Sequence, residues 1–272
     1  MNNVAFRYSG IKNHLINYIN SIIPEDTLNW FYVESFLGSG AIFYNLSKQF
    51  RWHYLTDIDE NIIKLHSCFQ KFSYADYQYV LDWVNDTFGN IKEDKEAYYK
   101  LRNDYNCDTG IYKDIKLLML ANSCINSMLR FGPNGMNQSF GQRHYIIPEE
   151  CWNEIKRRLE FSTIKNRDYT ETFKMMLNNS HLNWFIFLDP PYVDREMTYN
   201  KDFNRIDYIN NLKELTKLKN NIKIVYSDIE NIESDELLDI GFIKKDSKIL
   251  RNTCPSSNKQ ETMKEVLYLF NI

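Results

Sequence analysis

The hydrophobic and polar positions along the chain follow two periods, which predict strands and helices in a regular order. Near the N-terminus they predict a helix at residues 13–23, a strand at 30–36, a glycine turn leading into a helix at 38–50, and a strand at 52–57. A strand, a glycine turn, a helix and a second strand form a βαβ unit. Such units are typical of parallel α/β sheets.

The middle of the chain, residues 61–160, has the period of amphipathic helices. Apolar residues recur at helical spacing between Tyr77 and Phe88 and again from Ile115 onward. A cluster of Gly, Pro and Asn at residues 130–137 interrupts these helices and predicts a hairpin or an exposed loop. We therefore expect a mostly helical segment inserted between two stretches of sheet.

Strands return in the last third of the chain. The continuous apolar run at residues 184–188 is typical of a central parallel strand that is buried on both faces. Two further strands are predicted at 222–227 and 266–270. The pattern as a whole predicts an α/β fold in which residues 1–60 and 161–272 form one domain and residues 61–160 are inserted into it.

The sharpest chemical motif follows the buried strand directly, as Asp189-Pro190-Pro191-Tyr192. Parallel sheets place their sites at the carboxyl ends of their strands. The two prolines hold a rigid backbone without N–H groups, so their carbonyls are available as acceptors. The Asp189 carboxylate and the Pro190 carbonyl could accept both hydrogens of an exocyclic base amine, while Tyr192 stacks on a base turned out of the duplex. The alternative is a strand-ending turn with an exposed tyrosine.

A second motif, Phe36-Leu-Gly38-Ser-Gly40, follows the first predicted strand. Its glycines allow the backbone to approach a ligand closely. Asp57 ends the next strand, where an acid can accept hydrogen bonds from the ribose hydroxyls of an adenosine. The spacing is neither that of a dinucleotide fingerprint nor that of a P-loop. An ordinary glycine turn between a strand and a helix is the alternative.

The charge distribution adds a candidate nucleic-acid surface. The net charge of −3 argues against a protein that coats nucleic acid without specificity. However, residues 115–148 contain no Asp or Glu, although the whole chain has 36, and they include Lys116, Arg130 and Arg143. A surface that faces phosphates needs such a segment. A buried helix followed by a polar loop would produce the same pattern.

Cysteine, histidine and apolar content point away from metals and membranes. The five cysteines and five histidines are scattered and include no CxxC pair, which indicates reduced thiols and no metal site. There is no signal-peptide pattern at the N-terminus and no apolar run of bilayer length. We therefore expect a cytoplasmic protein without a membrane partner.

Taken together, these motifs resemble the Dam-type family of DNA adenine-N6 methyltransferases, in the family's order and over nearly the whole chain. Segment 8–12 is similar to its N-terminal cofactor motif, 34–40 to its EPFxGxG motif, 166–169 to its adenine-contacting segment, 189–192 to its DPPY motif, and 264–271 to its last strand. The resemblance implies a Rossmann-like S-adenosylmethionine-dependent methyltransferase sheet with an inserted, mostly helical DNA-recognition domain.

The resemblance also implies roles for individual residues. Catalysis would fall to Asp189, Pro190, Pro191 and Tyr192. S-adenosylmethionine would be bound by Tyr8, Gly10, Lys12, Phe36, Gly38, Gly40, Asp57, Ile58, Asp168, Tyr169 and Asp189. DNA would be contacted by Arg7, Asn126, Met128, Arg130, Asn137, Ser139 and Arg143, of which the two arginines of the hairpin segment would read base edges.

Four residues depart from the family's pattern. Ser139 replaces a hairpin proline and Gly132 replaces an asparagine, which weakens the assignment of GATC as the target. Ser35 replaces the proline of the glycine motif. Asp228 stands where the family has asparagine, near the pocket for the target base.

The implied function is site-specific methyl transfer from S-adenosylmethionine to N6 of adenine in a short double-stranded DNA target, with GATC as the leading candidate. Residues 1–60 and 161–272 would be the catalytic methyltransferase domain, and residues 61–160 the target-recognition domain with its DNA-contacting hairpin. Neither a metal nor a covalent enzyme intermediate is needed. The alternatives are cytosine-N4 transfer and a catalytically idle DNA-binding protein of the same fold. The family also allows a restriction endonuclease as counterpart, and a bacterial cell or a phage-infected host as the setting.

Overall fold

A computed structural model describes residues 6, 8, 11–91, 93–125, 129–141, 146–191, 203–229, 235–252 and 262–272. The helices of these residues are α1 (Ile16–Ile22), α2 (Glu60–Lys71), α3 (Tyr74–Phe88), α4 (Lys95–Cys107), α5 (Lys113–Ser123), α6 (Glu149–Leu159), α7 (Tyr169–Asn178), α8 (Arg205–Thr216) and α9 (Asp235–Asp239). The strands are β1 (Trp30–Glu34), β2 (Trp52–Asp57), β3 (Phe131–Gly132), β4 (Gly135–Met136), β5 (Ser162–Asn166), β6 (Asn183–Leu188), β7 (Ile222–Ile229), β8 (Ile243–Asn252) and β9 (Thr262–Phe270).

The described chain divides into two compact units. The first contains residues 1–17, 37–46 and 59–166, and the second contains residues 18–36, 47–58 and 167–272. The first is built mainly from helices α2 to α6, while the second carries most of the strands.

In the second unit, six strands pair in the order β2-β1-β6-β7-β9-β8. The pairs among β2, β1, β6 and β7 are parallel, and β9 is antiparallel to both β7 and β8. The predicted α/β class with a central parallel sheet is confirmed, and so are the strands predicted at 52–57, 184–188, 222–227 and 266–270. The strand predicted at 30–36 ends two residues earlier, at Glu34.

The core of the second unit forms where helices cover the parallel strands. In β6 every residue from Trp184 to Leu188 is buried, because β6 has a parallel neighbour on each side and helices pack against the sheet. Phe173 of α7 and Tyr208 of α8 are among the side chains that pack against it. Burying side chains of this size stabilises the fold by about 1.5–3 kcal/mol each.

In the first unit, helix α5 is buried on all sides, with every residue from Ile115 to Ser123 shielded from solvent. This changes the interpretation of the acid-free segment. Lys116 is buried, its Nζ lies 2.6 Å from Asp104 and 2.7 Å from Asp108, and it sits over the ring of Trp83. Of the two interpretations of the acid-free segment, the buried helix therefore applies to Lys116, whose charge is neutralised by Asp104 and Asp108.

The prediction of a helix at 38–50 is wrong. Only one 3₁₀ turn forms there, at Phe43–Asn45. The four residues from Ala41 to Tyr44 are all buried. The Asn45 side chain donates to the Ala41 carbonyl at 2.8 Å, and Leu46 then turns the backbone to an extended conformation.

Candidate active site

In the second unit, β1 leads to Phe36, and its parallel neighbour β6 leads to Asp189, Pro190 and Pro191, which we call the DPP segment. Glu34, the last residue of β1, lies opposite Phe187 of β6. Phe36 and Asp189 each follow two residues later, beyond the carboxyl ends of β1 and β6. Parallel sheets place their ligand sites at this edge.

Asp57, the acidic residue predicted to bind the ribose hydroxyls, lies at the carboxyl end of the neighbouring strand β2. Glu34 also lies opposite Leu55 of β2, and β2 ends two residues later at Asp57. Asp57 is half-buried and its neighbour Ile58 is 59% exposed. The Asp57 carbonyl accepts a hydrogen bond of 3.0 Å from the Arg167 N–H. This bond holds the residue before Asp168 and Tyr169, two further predicted cofactor residues, beside Asp57.

The DPP segment follows strand β6, in which residues 184–188 are all buried. Asp189 and Pro191 are half-buried and Pro190 is buried. Because β6 is held by parallel neighbours on both sides and the prolines fix their own φ angles, the backbone here has little freedom. The predicted stacking residue Tyr192 lies outside the described residues.

Asp168 and Tyr169 open helix α7. Asp168 is its N-cap, and its carboxylate accepts the Thr170 N–H at 2.9 Å, so this side chain has a structural role beside the predicted one. The Tyr169 ring stacks on Phe36 with centroids 5.7 Å apart, and Tyr208 meets it edge-on at 5.0 Å. Burial, with the charges of Asp168 and Asp207, raises the pKa of Tyr169 to about 12.

The glycine motif continues into the first unit as a tight turn. Gly38 and Gly40 have φ angles of +48° and +67°, which side-chain-bearing residues rarely adopt. A Cβ on Gly40 would lie 2.8 Å from the Tyr44 ring, and a Cβ on Gly38 would contact Tyr8 at 3.5 Å. The predicted cofactor residue Tyr8 therefore packs beside the turn. Lys12 is buried, and the predicted residue Gly10 lies outside the described residues.

The turn is held by a buried histidine that the sequence analysis missed. His66 Nε2 lies 2.8 Å from the Gly38 carbonyl and Nδ1 lies 2.8 Å from the Tyr44 hydroxyl, while Phe6 packs against the ring. A carbonyl can only accept, so Nε2 carries the proton and Nδ1 accepts from Tyr44. Burial lowers the pKa of His66 to about 4. The only signal in the sequence is its place on the apolar stripe of α2.

Asp228, which replaces the family's asparagine, belongs to a buried ion pair. Its carboxylate lies 2.9 Å from Arg205 Nη1, and it accepts the Tyr226 hydroxyl at 3.0 Å and the Ile229 N–H at 2.8 Å. Arg205 also donates to the Tyr226 oxygen at 3.1 Å. Burial alone would lower the pKa of Arg205, but Tyr226 and Asp228 outweigh it and raise that pKa.

The predicted hairpin is confirmed in the first unit. Strands β3 and β4 pair antiparallel, with Phe131 opposite Met136, and the Asn137 N–H donates to the Arg130 carbonyl at 3.0 Å. Three predicted DNA-contacting side chains, Arg130, Asn137 and Ser139, are exposed. Four others, Arg7, Asn126, Met128 and Arg143, lie outside the described residues.

Among the described residues, no group of three or more histidine, cysteine or acidic side chains could hold a metal ion. None of the helices formed by these residues has the length and apolar character needed to cross a bilayer.

Known proteins resemble this chain over most of its length. The type II methyltransferase M.MjaIII of Methanocaldococcus jannaschii is 25% identical over a 288-residue alignment that covers 97% of each chain. M.CviBI of Paramecium bursaria Chlorella virus NC1A is 27% identical and covers 68% of this chain and 67% of its own. The StsI modification methylase of Streptococcus sanguinis is 25% identical, and the match covers 78% of this chain and 32% of that protein.

A family model matches residues 8–254, which include the glycine turn, the hairpin and the DPP segment. Residues on both compact units are thus part of one match. The chain belongs to the D12 class of N6 adenine-specific DNA methyltransferases.

Proposed function

We propose that this protein transfers a methyl group from S-adenosylmethionine to N6 of adenine within a short target in double-stranded DNA. The observation that carries the proposal is the alignment of Asp57, Phe36 and the DPP segment at one carboxyl edge of the parallel sheet. In this arrangement three neighbouring strands lead to three different groups. These are a carboxylate that can bind a ribose, an aromatic surface that can stack on a purine, and rigid acceptors that can bind an amine.

The residues at this edge fit the cofactor. Asp57 offers a half-exposed carboxylate that can accept two ribose hydroxyls, and the exposed Ile58 beside it offers an apolar surface for the purine. Phe36 and Tyr169 already form a stacked aromatic pair to which a flat ring can add. In the first unit, Gly38 is half-buried and has no side chain, so a ligand can approach its backbone closely.

The chemistry of transfer follows from the DPP segment. When bound, S-adenosylmethionine would supply an electrophilic methyl group on a sulfonium sulfur, which leaves as a neutral thioether, while the methylated nitrogen gives up one proton. The adenine amine is a weak nucleophile, because its lone pair is delocalised into the ring. The Asp189 carboxylate and the Pro190 carbonyl accept its two N–H groups, which favours a pyramidal nitrogen with an available lone pair. Because these acceptors are fixed before the base arrives, their hydrogen bonds strengthen in the transition state without reorganisation.

Target recognition belongs to residues 61–160 in this proposal. Arg130 is exposed on the hairpin and can place two donors on the O6 and N7 acceptors of guanine. Asn137 and Ser139 are exposed on the same hairpin. GATC remains the leading candidate target. Ser139 lacks the apolar face of the family's proline, so contact with a thymine methyl is weaker here.

The family assignment favours adenine over cytosine as the target base. It also favours an active enzyme over an idle DNA-binding protein, because Asp189 and both prolines are retained. Two of the relatives are named type II methyltransferases. This supports a role in restriction-modification, with an endonuclease as counterpart.

Methylation-aware sequencing tests the proposal. DNA from cells that express the protein should carry N6-methyladenine at one short motif. DNA from cells that express Asp189→Ala should carry none, while the purified variant still binds S-adenosylmethionine within about tenfold of wild type, because Asp189 acts mainly in the transition state. Methylation of cytosine, or the same methylation with Asp189→Ala, would refute the proposal.

A further inference from the structure

Helix α4 presents three polar side chains along one stripe to the hairpin of the first unit. Tyr98, Arg102 and Asn106 follow one another at intervals of four residues, which places them on the same face of the helix. Each of them donates a hydrogen bond to a backbone carbonyl of the hairpin segment 135–140.

Asn106 makes the pair of bonds that a neighbouring strand would make. Its Nδ2 donates to the Met136 carbonyl at 2.9 Å, and its Oδ1 accepts the Met136 N–H at 2.8 Å. Both backbone groups of one hairpin residue are thus bound by one side chain. Met136 itself is 1% exposed, so its side chain anchors the same point of the hairpin in the apolar interior.

Gly135 allows this close approach. A Cβ on Gly135 would lie 2.5 Å from Asn106 Oδ1, which no real side chain could tolerate without displacing the amide. The φ angle of Gly135 is +95°, a value that favours glycine in any case. The glycine and the asparagine are therefore complementary parts of one contact.

Arg102 and Tyr98 hold the next part of the segment. Arg102 Nη1 and the Tyr98 hydroxyl both donate to the Gln138 carbonyl, at 2.9 and 3.0 Å, so both of its lone pairs are used. The Tyr98 ring also packs on Phe140, with centroids 5.5 Å apart. The hairpin segment 135–140 is therefore held at Met136, Gln138 and Phe140.

We propose that Asn106, Arg102 and Tyr98 are positioning residues that hold the DNA-reading hairpin in register on α4. A two-stranded hairpin is marginally stable alone, so it needs support from outside. Arg130 is joined to the supported segment 135–140 by a hydrogen bond in which the Arg130 carbonyl accepts the Asn137 N–H. Loss of the support would leave exposed Arg130 on a mobile backbone, and bidentate contact with a base tolerates little displacement. The inference rests on the proposed role of the hairpin in reading DNA.

The test compares Asn106→Ala with Asn103→Ala, an exposed asparagine on the same helix. The measured quantity is the ratio of methylation rates on the best target and on sites that differ by one base pair. We expect this ratio to fall about tenfold with Asn106→Ala and to change less than about twofold with Asn103→Ala. KM for DNA should rise, whereas kcat at saturating DNA and the Kd of S-adenosylmethionine should stay near wild type.

Tyr98→Phe is a milder second variant, because it keeps the ring contact with Phe140 and removes only one hydrogen bond. It should lower the same ratio by about two- to threefold. If Asn106→Ala fails to fold, Tyr98→Phe decides alone, and an unchanged ratio overturns the inference.

Arg130→Ala separates failure of this inference from failure of the proposed function. If Arg130→Ala changes site choice and Asn106→Ala does not, the hairpin reads DNA without support from the positioning residues, and the inference is overturned. If neither variant changes site choice, the hairpin is not the reading element, and the proposed recognition role fails with the inference. Equal loss of kcat on every site with Asn106→Ala would indicate a general structural defect and would also overturn the inference.

Discussion

The ring nitrogen Nε2 of His66 lies 2.8 Å from the carbonyl oxygen of Gly38. This bond joins the buried face of α2 to the turn that carries two glycines with positive φ. Tyr44 completes the arrangement from the far side of the ring, where its hydroxyl donates to Nδ1. The turn is therefore held by a side chain whose tautomer is set by its two partners.

Removal of His66 should loosen the glycine turn and weaken cofactor binding. His66→Ala removes the hydrogen bonds with the Gly38 carbonyl and the Tyr44 hydroxyl, and such bonds contribute about 0.5–1.5 kcal/mol each. We expect the Kd of S-adenosylmethionine, measured by calorimetry, to rise by about tenfold. His66→Gln should retain more affinity, because its amide nitrogen can donate to Gly38 in place of Nε2. Equal affinity in wild type and His66→Ala would show that the turn does not depend on this histidine.

The depressed pKa of His66 predicts how stability depends on pH. The folded pKa is about 4, below the ordinary value of 6.5, because burial disfavours the charged ring. Between these pH values the unfolded chain binds a proton that the folded chain does not bind, so stability rises with pH. The contribution is complete above pH 6.5 and is lost as the pH falls to 4.

Urea denaturation at a series of pH values measures this effect. Wild type should lose up to about 3 kcal/mol more than His66→Gln between pH 6.5 and 4, since the variant has no proton to bind at this position. Parallel curves for the two proteins would contradict a buried neutral histidine.

Asp57→Ala should act on the cofactor and not on DNA. Loss of hydrogen bonds from ribose hydroxyls to a charged acceptor should weaken S-adenosylmethionine binding by about 1–3 kcal/mol. DNA affinity without cofactor should match wild type. Asp59→Ala is a useful comparison, because that acid caps α2 and should affect stability instead. If cofactor titrations of wild type and Asp57→Ala superimpose, the ribose assignment is wrong.

The ion pair between Arg205 and Asp228 should be costly to break. Asp228→Asn restores the family's residue but leaves a buried guanidinium without its carboxylate, so the free energy of unfolding should fall by about 3–5 kcal/mol. The control is Glu214→Gln, which breaks an exposed pair with Lys217 and should cost about 1 kcal/mol or less. Equal losses in the two variants would show that burial does not govern this pair.

Arg130→Ala should relax target choice. A bidentate contact between arginine and guanine contributes about 1–3 kcal/mol of discrimination, whereas a phosphate contact weakens binding to all sequences alike. Methylation-aware sequencing should therefore find the motif degenerate at one position, with only a modest loss of total DNA affinity. An unchanged motif, together with a salt dependence of binding that is shallower by about one, would identify Arg130 as a phosphate contact instead.

Some elements could be predicted from the pattern of residues within a single segment. The run 184–188 was predicted correctly as a central strand, because five successive apolar side chains suit burial on both faces of a sheet and two prolines follow the run closely. The DPP segment and the hairpin turn are set by proline and glycine backbones, which act over a few residues. The β8 strand was missed, because its polar residues pair with β9 at the edge of the sheet and lack the apolar alternation of a half-buried strand.

The sequence by itself determined the order of the motifs, the parallel α/β class and the carboxyl-edge position of Asp57 and Asp189. Only the tertiary structure decided which distant residues hold those motifs in place. Lys116 stands in an acid-free segment of the sequence but between two acids in space, and Asn106 meets Met136 across 30 positions of chain. Hydrogen bonds and ion pairs of this kind depend on distances between separate helices and turns. Those distances are fixed when the whole core packs, and no periodicity within one segment encodes them.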